Sequence, residues 1–139
     1  MFSKLLVGND GSEGAFRALA TAIELAKRTG ADLHMISVEQ LPQFPATIDE
    51  VVEEKNFANH HFAEVVSRSR RIAAHAGIEL HCHVAAGHVV AAIADFVKAN
   101  GIDLLIIGFM GHSRLYNAVI GGTADRLVDH SPCAVLVVK

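Results

Sequence analysis

The stretch DLLIIGFMGHSRLYNAVIGGTADRL, residues 103–127, joins an apolar run to a glycine-rich loop. The run Asp103–Ile107 shows no alternation of polar and apolar residues, which is typical of a central strand in a parallel sheet covered by helices on both faces. Around it, short segments rich in Val, Ile and Leu alternate with longer segments of helical period, the pattern of βαβ units. We therefore expect a Rossmann-like α/β fold, a doubly wound five-stranded parallel sheet with helices on both faces.

The same pattern predicts the individual elements. The predicted strands are Ser3–Val7, Asp32–Val38, Glu79–Val84, Asp103–Ile107 and Cys133–Val138. The predicted helices are one that ends at Gly30, Ile48–His75, His88–Ala99, and one that begins near Gly122 and Thr123. Pro42 and Pro45 cannot donate to a sheet ladder and predict a loop between strand two and helix two. A chain of 139 residues is expected to form a single domain over residues 1–139.

Charge and composition argue against several classes of protein. The net charge of −3 gives no basic footprint for nucleic acid. No apolar run approaches the roughly 18 residues of a membrane span, and the opening MFSKLLVGND lacks the features of a signal peptide. We expect a soluble cytoplasmic protein with no nucleic-acid or membrane partner. Cys82 and Cys133 are too few for a disulfide framework and are interpreted as small buried thiols within strands.

The glycines of the opening stretch predict a phosphate-binding loop. Ligands of doubly wound sheets bind beyond the carboxyl ends of the strands, where the strand order reverses. Gly108 and Gly111 would allow positive φ and a close approach of the main chain to a ligand. Gly121 and Gly122 open a helix whose free N–H groups favour an anion. A tight structural turn is the alternative, and no P-loop or G-x-G-x-x-G motif indicates a known phosphate-binding enzyme.

The same glycines carry a resemblance to a known family. Gly108, Gly111 and Gly121 reproduce the G-x2-G-x9-G-[ST] spacing that follows the fourth strand of ATP-binding universal stress proteins. The opening KLLVGNDGSEGAFRAL holds Asp10 in a D-G-S segment like that of the family, and the ending SPCAVLVVK looks like its closing strand. Over essentially its whole length the chain resembles the universal stress protein family, in its ATP-binding subgroup.

The resemblance implies an adenine-nucleotide site and a regulatory role in the stress response. It implies that Asp10 contacts the ribose or adenine, that the backbone of Val38 meets the adenine, and that the loop glycines line the phosphates. Asp10 is also a candidate cap of helix one. The predicted nucleotide-binding residues are Gly8, Asn9, Asp10, Val38, Ile107, Gly108, Gly111, His112, Arg114, Gly121, Gly122 and Thr123.

Two features of the glycine-rich loop affect which adenine nucleotide is expected to bind. Gly122 stands at the family's Ser/Thr position, with Thr123 directly after it, so one hydroxyl ligand of a terminal phosphate is missing and the preference for ATP over ADP or AMP is expected to be weak. His112 and Arg114 would balance phosphate charge, with an exposed polar loop as the alternative. The implied cofactor is ATP, ADP or AMP, with Mg²⁺ or Mn²⁺ as a candidate companion ion.

No catalytic residues are predicted. A G-x-S-x-G elbow, a cysteine in a reactive setting and paired carboxylates are absent from the sequence, so at most slow ATP hydrolysis is expected. The resemblance also implies a homodimer that pairs through Cys133–Val138, an apolar strand expected at a sheet edge. A nucleotide-independent dimeric interaction protein of the same fold is the alternative function.

Two groups of histidines are candidates for functional sites. His81, Cys82 and His83 invite a metal interpretation, but strand alternation places the histidines on one face and the cysteine on the other, so they cannot converge without help. No metal site is therefore predicted. His60 and His61 are adjacent on a helix, do not share a face, and are interpreted as solvated polar residues.

Overall fold

Five parallel strands form one sheet in a computed structural model that describes residues 1–40, 47–109 and 122–139. In chain order the described elements are β1 (Lys4–Gly8), α1 (Glu13–Thr29), β2 (Asp32–Glu39), α2 (Ile48–His75), β3 (Leu80–Ala86), α3 (Val89–Asn100), β4 (Leu104–Gly108), α4 (Gly122–His130) and β5 (Ala134–Val138). The strand order is β3-β2-β1-β4-β5, with every neighbouring pair parallel. The predicted doubly wound α/β fold is confirmed.

The predicted element bounds agree with the observed ones to within two residues. One difference concerns the cysteines, because Cys133 precedes β5, where its backbone N–H donates to the hydroxyl of Ser131 over 3.4 Å. Both thiols are only half-buried, since Cys82 lies on an edge strand and Cys133 lies in the turn before another. The interpretation is therefore wrong on the burial of both thiols and on the position of Cys133, whereas Cys82 does lie within a strand. The predicted proline loop lies outside the described residues.

Local capping explains where the two long helices begin and end. The Ser12 side chain accepts a hydrogen bond from the Ala15 amide at the start of α1, and Gly30 ends that helix with φ 72°. Thr47 and Glu50 form a reciprocal capping box at the start of α2. Such caps satisfy backbone groups that have no partner within the helix.

Two apolar cores lie on opposite faces of the sheet. On one face α1 and α2 pack against residues such as Leu5 and Met35. On the other, α3 and α4 pack against residues such as Leu6, Ile36 and Leu105. The middle residues of β1 and β4 are buried, as the unbroken apolar runs predicted. No helix within the described ranges has both the length and the apolar character needed to cross a membrane.

Candidate functional site

A cavity of about 560 Å³ lies beyond the carboxyl ends of β1, β2 and β4. The chain winds from β1 to β2 and β3 on one side and reaches β4 and β5 on the other, so β1 and β4 meet where the strand order reverses. Ligands of open α/β sheets bind at this switch point, in cavities of roughly 300 to 1,000 Å³. The position and the size of the cavity are those of a small-molecule site.

Most of the predicted site residues that the structure describes line this cavity. They are Gly8, Asn9, Asp10, Val38, Ile107, Gly108 and Thr123. Gly122 is the first residue of α4, directly before Thr123. Gly111, His112, Arg114 and Gly121 lie outside the described residues. The fold thus brings the ends of β1, β2 and β4 and the start of α4 around one space.

Gly108 is required for packing and not for positive φ. It is absent from the set of positive-φ glycines among the described residues, so the prediction of positive φ at this position is wrong. A Cβ built on Gly108 would lie 2.7 Å from both the carbonyl carbon and the oxygen of Gly14, in the first turn of α1. Glycine here allows the end of β4 to approach the start of α1 closely, which also fixes one wall of the cavity.

Asn9 lines the cavity, yet its side chain is committed to internal partners. The residue is 3% exposed. Its amide nitrogen donates to Ser69 Oγ over 3.2 Å and lies 3.5 Å from Met35 Sδ. Its Oδ1 accepts a hydrogen bond from the Gly11 amide over 2.9 Å. Asn9 therefore shapes the loop after β1, since its side-chain hydrogen bonds are made within the protein.

Asp10 shapes the same loop but does not cap α1. Its Oδ1 accepts a hydrogen bond from the Ser12 amide over 3.0 Å, while Ser12 itself is the helix cap. The prediction that Asp10 caps α1 is wrong, because a residue two positions nearer the helix supplies the acceptor. Its carbonyl oxygen lies 3.0 Å from His61 Nε2. The half-buried carboxyl group of Asp10 borders the cavity.

A stripe of α2 formed by His61, Val65 and Ser69 holds the loop of residues 9–11. His61 contacts the Asp10 carbonyl, Ser69 contacts Asn9, and Val65 lies against Gly11. Gly11 has φ 89°, and a Cβ there would lie 2.8 Å from the His61 ring and 3.0 Å from Val65. Glycine is therefore required at position 11 both by the backbone and by the contact with α2.

The wall contributed by α2 was missed by the sequence analysis. Phe57, His61 and Phe62 line the cavity, and the Phe57 and His61 rings are parallel, with centroids 6.4 Å apart. The interpretation of His61 as a solvated residue is wrong, whereas His60 is 79% exposed and pairs with Glu64 over 3.2 Å. The i, i+4 spacing of Phe57 and His61 was the available signal that both lie on one helix face.

The start of α4 faces the same space. Thr123, Ala124 and Leu127 line the cavity from this helix. The first N–H groups of a helix have no partner within it, and the helix dipole adds a partial positive charge there. Among the described residues, no atom lies within 4 Å of a Cβ built on Gly122. The α4 end of the cavity can therefore receive an anionic group.

The chain aligns over its whole length with known relatives. It is 26% identical to universal stress protein YxiE of Bacillus subtilis, with 100% of both chains covered. It is also 26% identical to a universal stress protein of Methanocaldococcus jannaschii, with 100% of this chain and 83% of the relative covered.

Solved structures share the fold. Universal stress protein UspA from Lactobacillus plantarum superposes with a TM-score of 0.88 at 24% identity, covering 99% of this chain and 98% of its own. A universal stress protein in complex with cAMP gives 0.79 at 21% identity, covering 99% and 97%. A family member from Arabidopsis thaliana with AMP bound gives 0.70 at 15% identity, covering 99% and 91%. At these identities the likeness establishes the fold.

The sequence itself establishes the family. The model of the universal stress protein family matches residues 1–139. This match covers both the strands that carry the cavity and the glycine-rich stretch from which the prediction started. The chain belongs to the universal stress protein family.

Proposed function

We propose that this protein binds an adenine nucleotide in the cavity and acts as a regulatory module of the stress response. The observation that carries the proposal is the cavity at the switch point, bordered by Asp10, Val38 and the α4 N-terminus. Structures of the same fold, one in complex with cAMP and one with AMP bound, support an adenine nucleotide as the ligand.

A mononucleotide fits across the strand ends. Neighbouring strands lie about 4.8 Å apart, so β2 and β4, which flank β1, are separated by roughly 10 Å. We assign the base to the β2 side, at the backbone of Val38, and the phosphates to the β4 side, at Gly108 and the start of α4. The Asp10 carboxylate then lies where it can accept hydrogen bonds from ribose hydroxyls.

Aromatic side chains of α2 extend the base subsite. Phe57 and Phe62 line the cavity together with the apolar side chains of Val38 and Ile93. Because Phe57 is 76% exposed, covering its ring by a base would remove apolar area from water. We therefore expect Phe57 to contribute to affinity for the base.

The phosphate subsite combines described residues with the glycine-rich loop. The N–H groups of the first turn of α4, including that of Thr123, favour an anion. Gly111, Gly121, His112 and Arg114 complete this subsite in our proposal. A Mg²⁺ or Mn²⁺ ion that accompanies ATP would bridge its phosphates, with oxygen groups as the preferred protein ligands. Slow hydrolysis of bound ATP stays a prediction.

In this proposal, regulation depends on the contact between the loop of residues 9–11 and α2. A nucleotide that contacts Asp10 acts on the loop that His61 holds. The outer face of the same helix exposes Ile48 and Val52, which are 83% and 51% exposed. Occupied and empty states would therefore present different α2 surfaces to a partner, since a ligand shifts an equilibrium by its differential affinity for the two states.

The first test is to identify and measure the ligand. Purified protein is denatured and the released material is separated by chromatography with absorbance detection, followed by calorimetric titration with AMP, ADP, ATP and GMP. We expect adenine nucleotides to bind and GMP to bind more weakly. A well-folded protein that binds no adenine nucleotide at millimolar concentration would favour the nucleotide-independent interaction protein.

A variant that fills the cavity, compared with a control variant outside it, tests where the nucleotide binds. Gly8→Leu adds a side chain at the cavity wall, where a Cβ would meet Ile107 and Ile93 at 3.7 Å. We expect this change to abolish nucleotide binding while the circular dichroism spectrum is retained. Ala86→Leu, on the exposed end of β3, is the matched control and should bind normally. Equal affinity for both variants would place the nucleotide elsewhere.

A further inference from the structure

Three histidines meet on the face of the sheet that carries the second core. His34 pairs with His81 across the β2–β3 ladder, and His83 lies two residues further along β3 on the same face. His34 Nδ1 and His83 Nε2 are 3.1 Å apart, and the His34 and His81 ring centroids are 4.8 Å apart. Cys82 packs against the opposite core, as strand alternation predicted. In the sequence, the run His81-Cys82-His83 places only two imidazoles on this face, and the structure adds a third, that of His34 on the neighbouring strand.

From this juxtaposition we infer that His34, His81 and His83 form a binding site for a divalent transition-metal ion, with Zn²⁺ as the best match. Imidazole nitrogen is a favoured ligand of Zn²⁺. Two nitrogens bound to tetrahedral zinc at about 2.0–2.1 Å lie roughly 3.3 Å apart. The His34 and His83 nitrogens at 3.1 Å are therefore near the separation that chelation needs, but they face each other in a hydrogen bond, so both rings must turn to direct their lone pairs at one ion.

The third ligand requires a rotation. As the side chains stand, no group of three or more His, Cys, Asp or Glu residues within the described ranges is arranged to hold a metal ion. The His81 ring stacks on that of His34 with an interplanar angle of 29°, so its nitrogen must turn toward the pair. Torsion between an aliphatic carbon and a ring is broad and soft, and all three rings are half-buried. Water can complete the coordination from the solvent side.

The protonation state suits metal binding. Burial lowers the pKa of both His34 and His83, and the nearby His81 lowers both further. Neutral imidazoles are the form that binds metal. In the metal-free pair one nitrogen donates its hydrogen to the other. When the metal takes both lone pairs, that proton moves to the remaining nitrogen of its own ring, and no net proton is released from the pair.

The surroundings restrain the rings, but their charges do not favour a cation. The Phe96 ring packs 4.6 Å from that of His83 and 6.3 Å from that of His34, which limits the motion of both rings. Lys4 repels a cation near His34, and Asp32 attracts one. None of the three histidines borders the cavity at the strand ends. The metal site is therefore independent of the proposed nucleotide site, and each can fail without the other.

The test is calorimetric titration of the full chain with ZnCl₂ near pH 7.5. We expect one saturable Zn²⁺ site per chain, with binding at least tenfold weaker in each of His34→Gln, His81→Gln and His83→Gln. His130→Gln, an exposed histidine at the end of α4, is the control and should bind as the wild type does. The inference would be overturned if His83→Gln and His130→Gln bound Zn²⁺ with equal affinity. It would also be overturned if the wild type showed no saturable Zn²⁺ binding below about 1 mM.

Two further measurements separate ligation from folding. Thermal melting without metal shows whether each variant is folded, and added Zn²⁺ should raise the melting temperature of the wild type but not of His83→Gln, because a ligand stabilises only the state that binds it. Nuclear magnetic resonance of the ring protons should show three histidines perturbed by Zn²⁺. Perturbation of other histidines alone would refute the site, and Mg²⁺, which prefers oxygen ligands, should shift none of the three.

Discussion

Replacing Gly108 by alanine tests whether close packing, and not a ligand, requires glycine at the end of β4. The added Cβ would lie 2.7 Å from the carbonyl carbon and oxygen of Gly14, whereas favourable carbon contacts lie at about 3.5–4.0 Å. Main-chain atoms of α1 must therefore shift by roughly 1 Å. Overpacking of this kind costs about 1–3 kcal/mol. With an unfolding entropy of about 2.1 cal/mol/K per residue, the melting temperature should fall by roughly 3–10 °C.

The assay is thermal and urea denaturation followed by circular dichroism, with Gly8→Ala as the matched control. Gly8 also ends a central strand, but a Cβ there would make only ordinary contacts of 3.7 Å with Ile107 and Ile93, so its stability should be unchanged or slightly higher. If Gly108→Ala melts within about 1 °C of the wild type but loses nucleotide affinity, the packing explanation is refuted, and the close approach of the ligand is what requires glycine at this position.

Three further predictions concern pH, assembly and nucleotide preference. The pKa values of His34 and His83 lie below the ordinary value of 6.5, so the free energy of unfolding should fall as the pH drops through 6.5 toward those lower values. Urea denaturation at pH 7.5 and 5.5 should show this loss, and His83→Gln should reduce it; an equal loss in that variant contradicts the assignment. β5 is an edge strand on which Leu136 is 37% exposed, so Leu136→Lys should convert the predicted homodimer to monomer in light scattering, while Val84→Lys on the opposite edge strand should not. A wild type that is monomeric at high concentration would exclude this dimer. Gly122→Ser restores the family's hydroxyl at a position where no described residue lies within 4 Å of the added Cβ, and it should improve ATP binding more than AMP binding; equal gains by calorimetry would mean that the hydroxyl does not reach the terminal phosphate.

The fold could be predicted because its determinants are local. The apolar runs of β1 and β4 and the glycine that ends α1 each depend on residues close together in the sequence. General topology then predicted that a ligand would lie beyond the ends of the strands. These signals agree with one another, which is typical of sequences that specify one structure.

The parts that were missed depend on contacts between distant residues. His34 and His83 are 49 positions apart and meet because of the β2–β3 register, which the sequence does not reveal. From the sequence, Gly108 was expected to adopt positive φ. In the structure, glycine is needed there because the main chain of α1 lies too close for a Cβ. The sequence suggested that His60 and His61 are both solvated, and the placement of α2 shows that His61 contacts Asp10 while His60 is exposed.

The candidate site is therefore shaped in part by a helix whose contribution no motif predicts. Residues 9–11 connect β1 to α1, and the stripe of His61, Val65 and Ser69 contacts that loop at three consecutive residues. Val65 and Ser69 are 5% and 0% exposed, so this stripe cannot move away without uncovering buried groups. A nucleotide that displaced the Asp10 carbonyl would have to break or carry with it the contact to His61. The loop and α2 are thus coupled through packing, and under the proposed function a nucleotide would act on α2 both through this loop and through the α2 side chains that line the cavity.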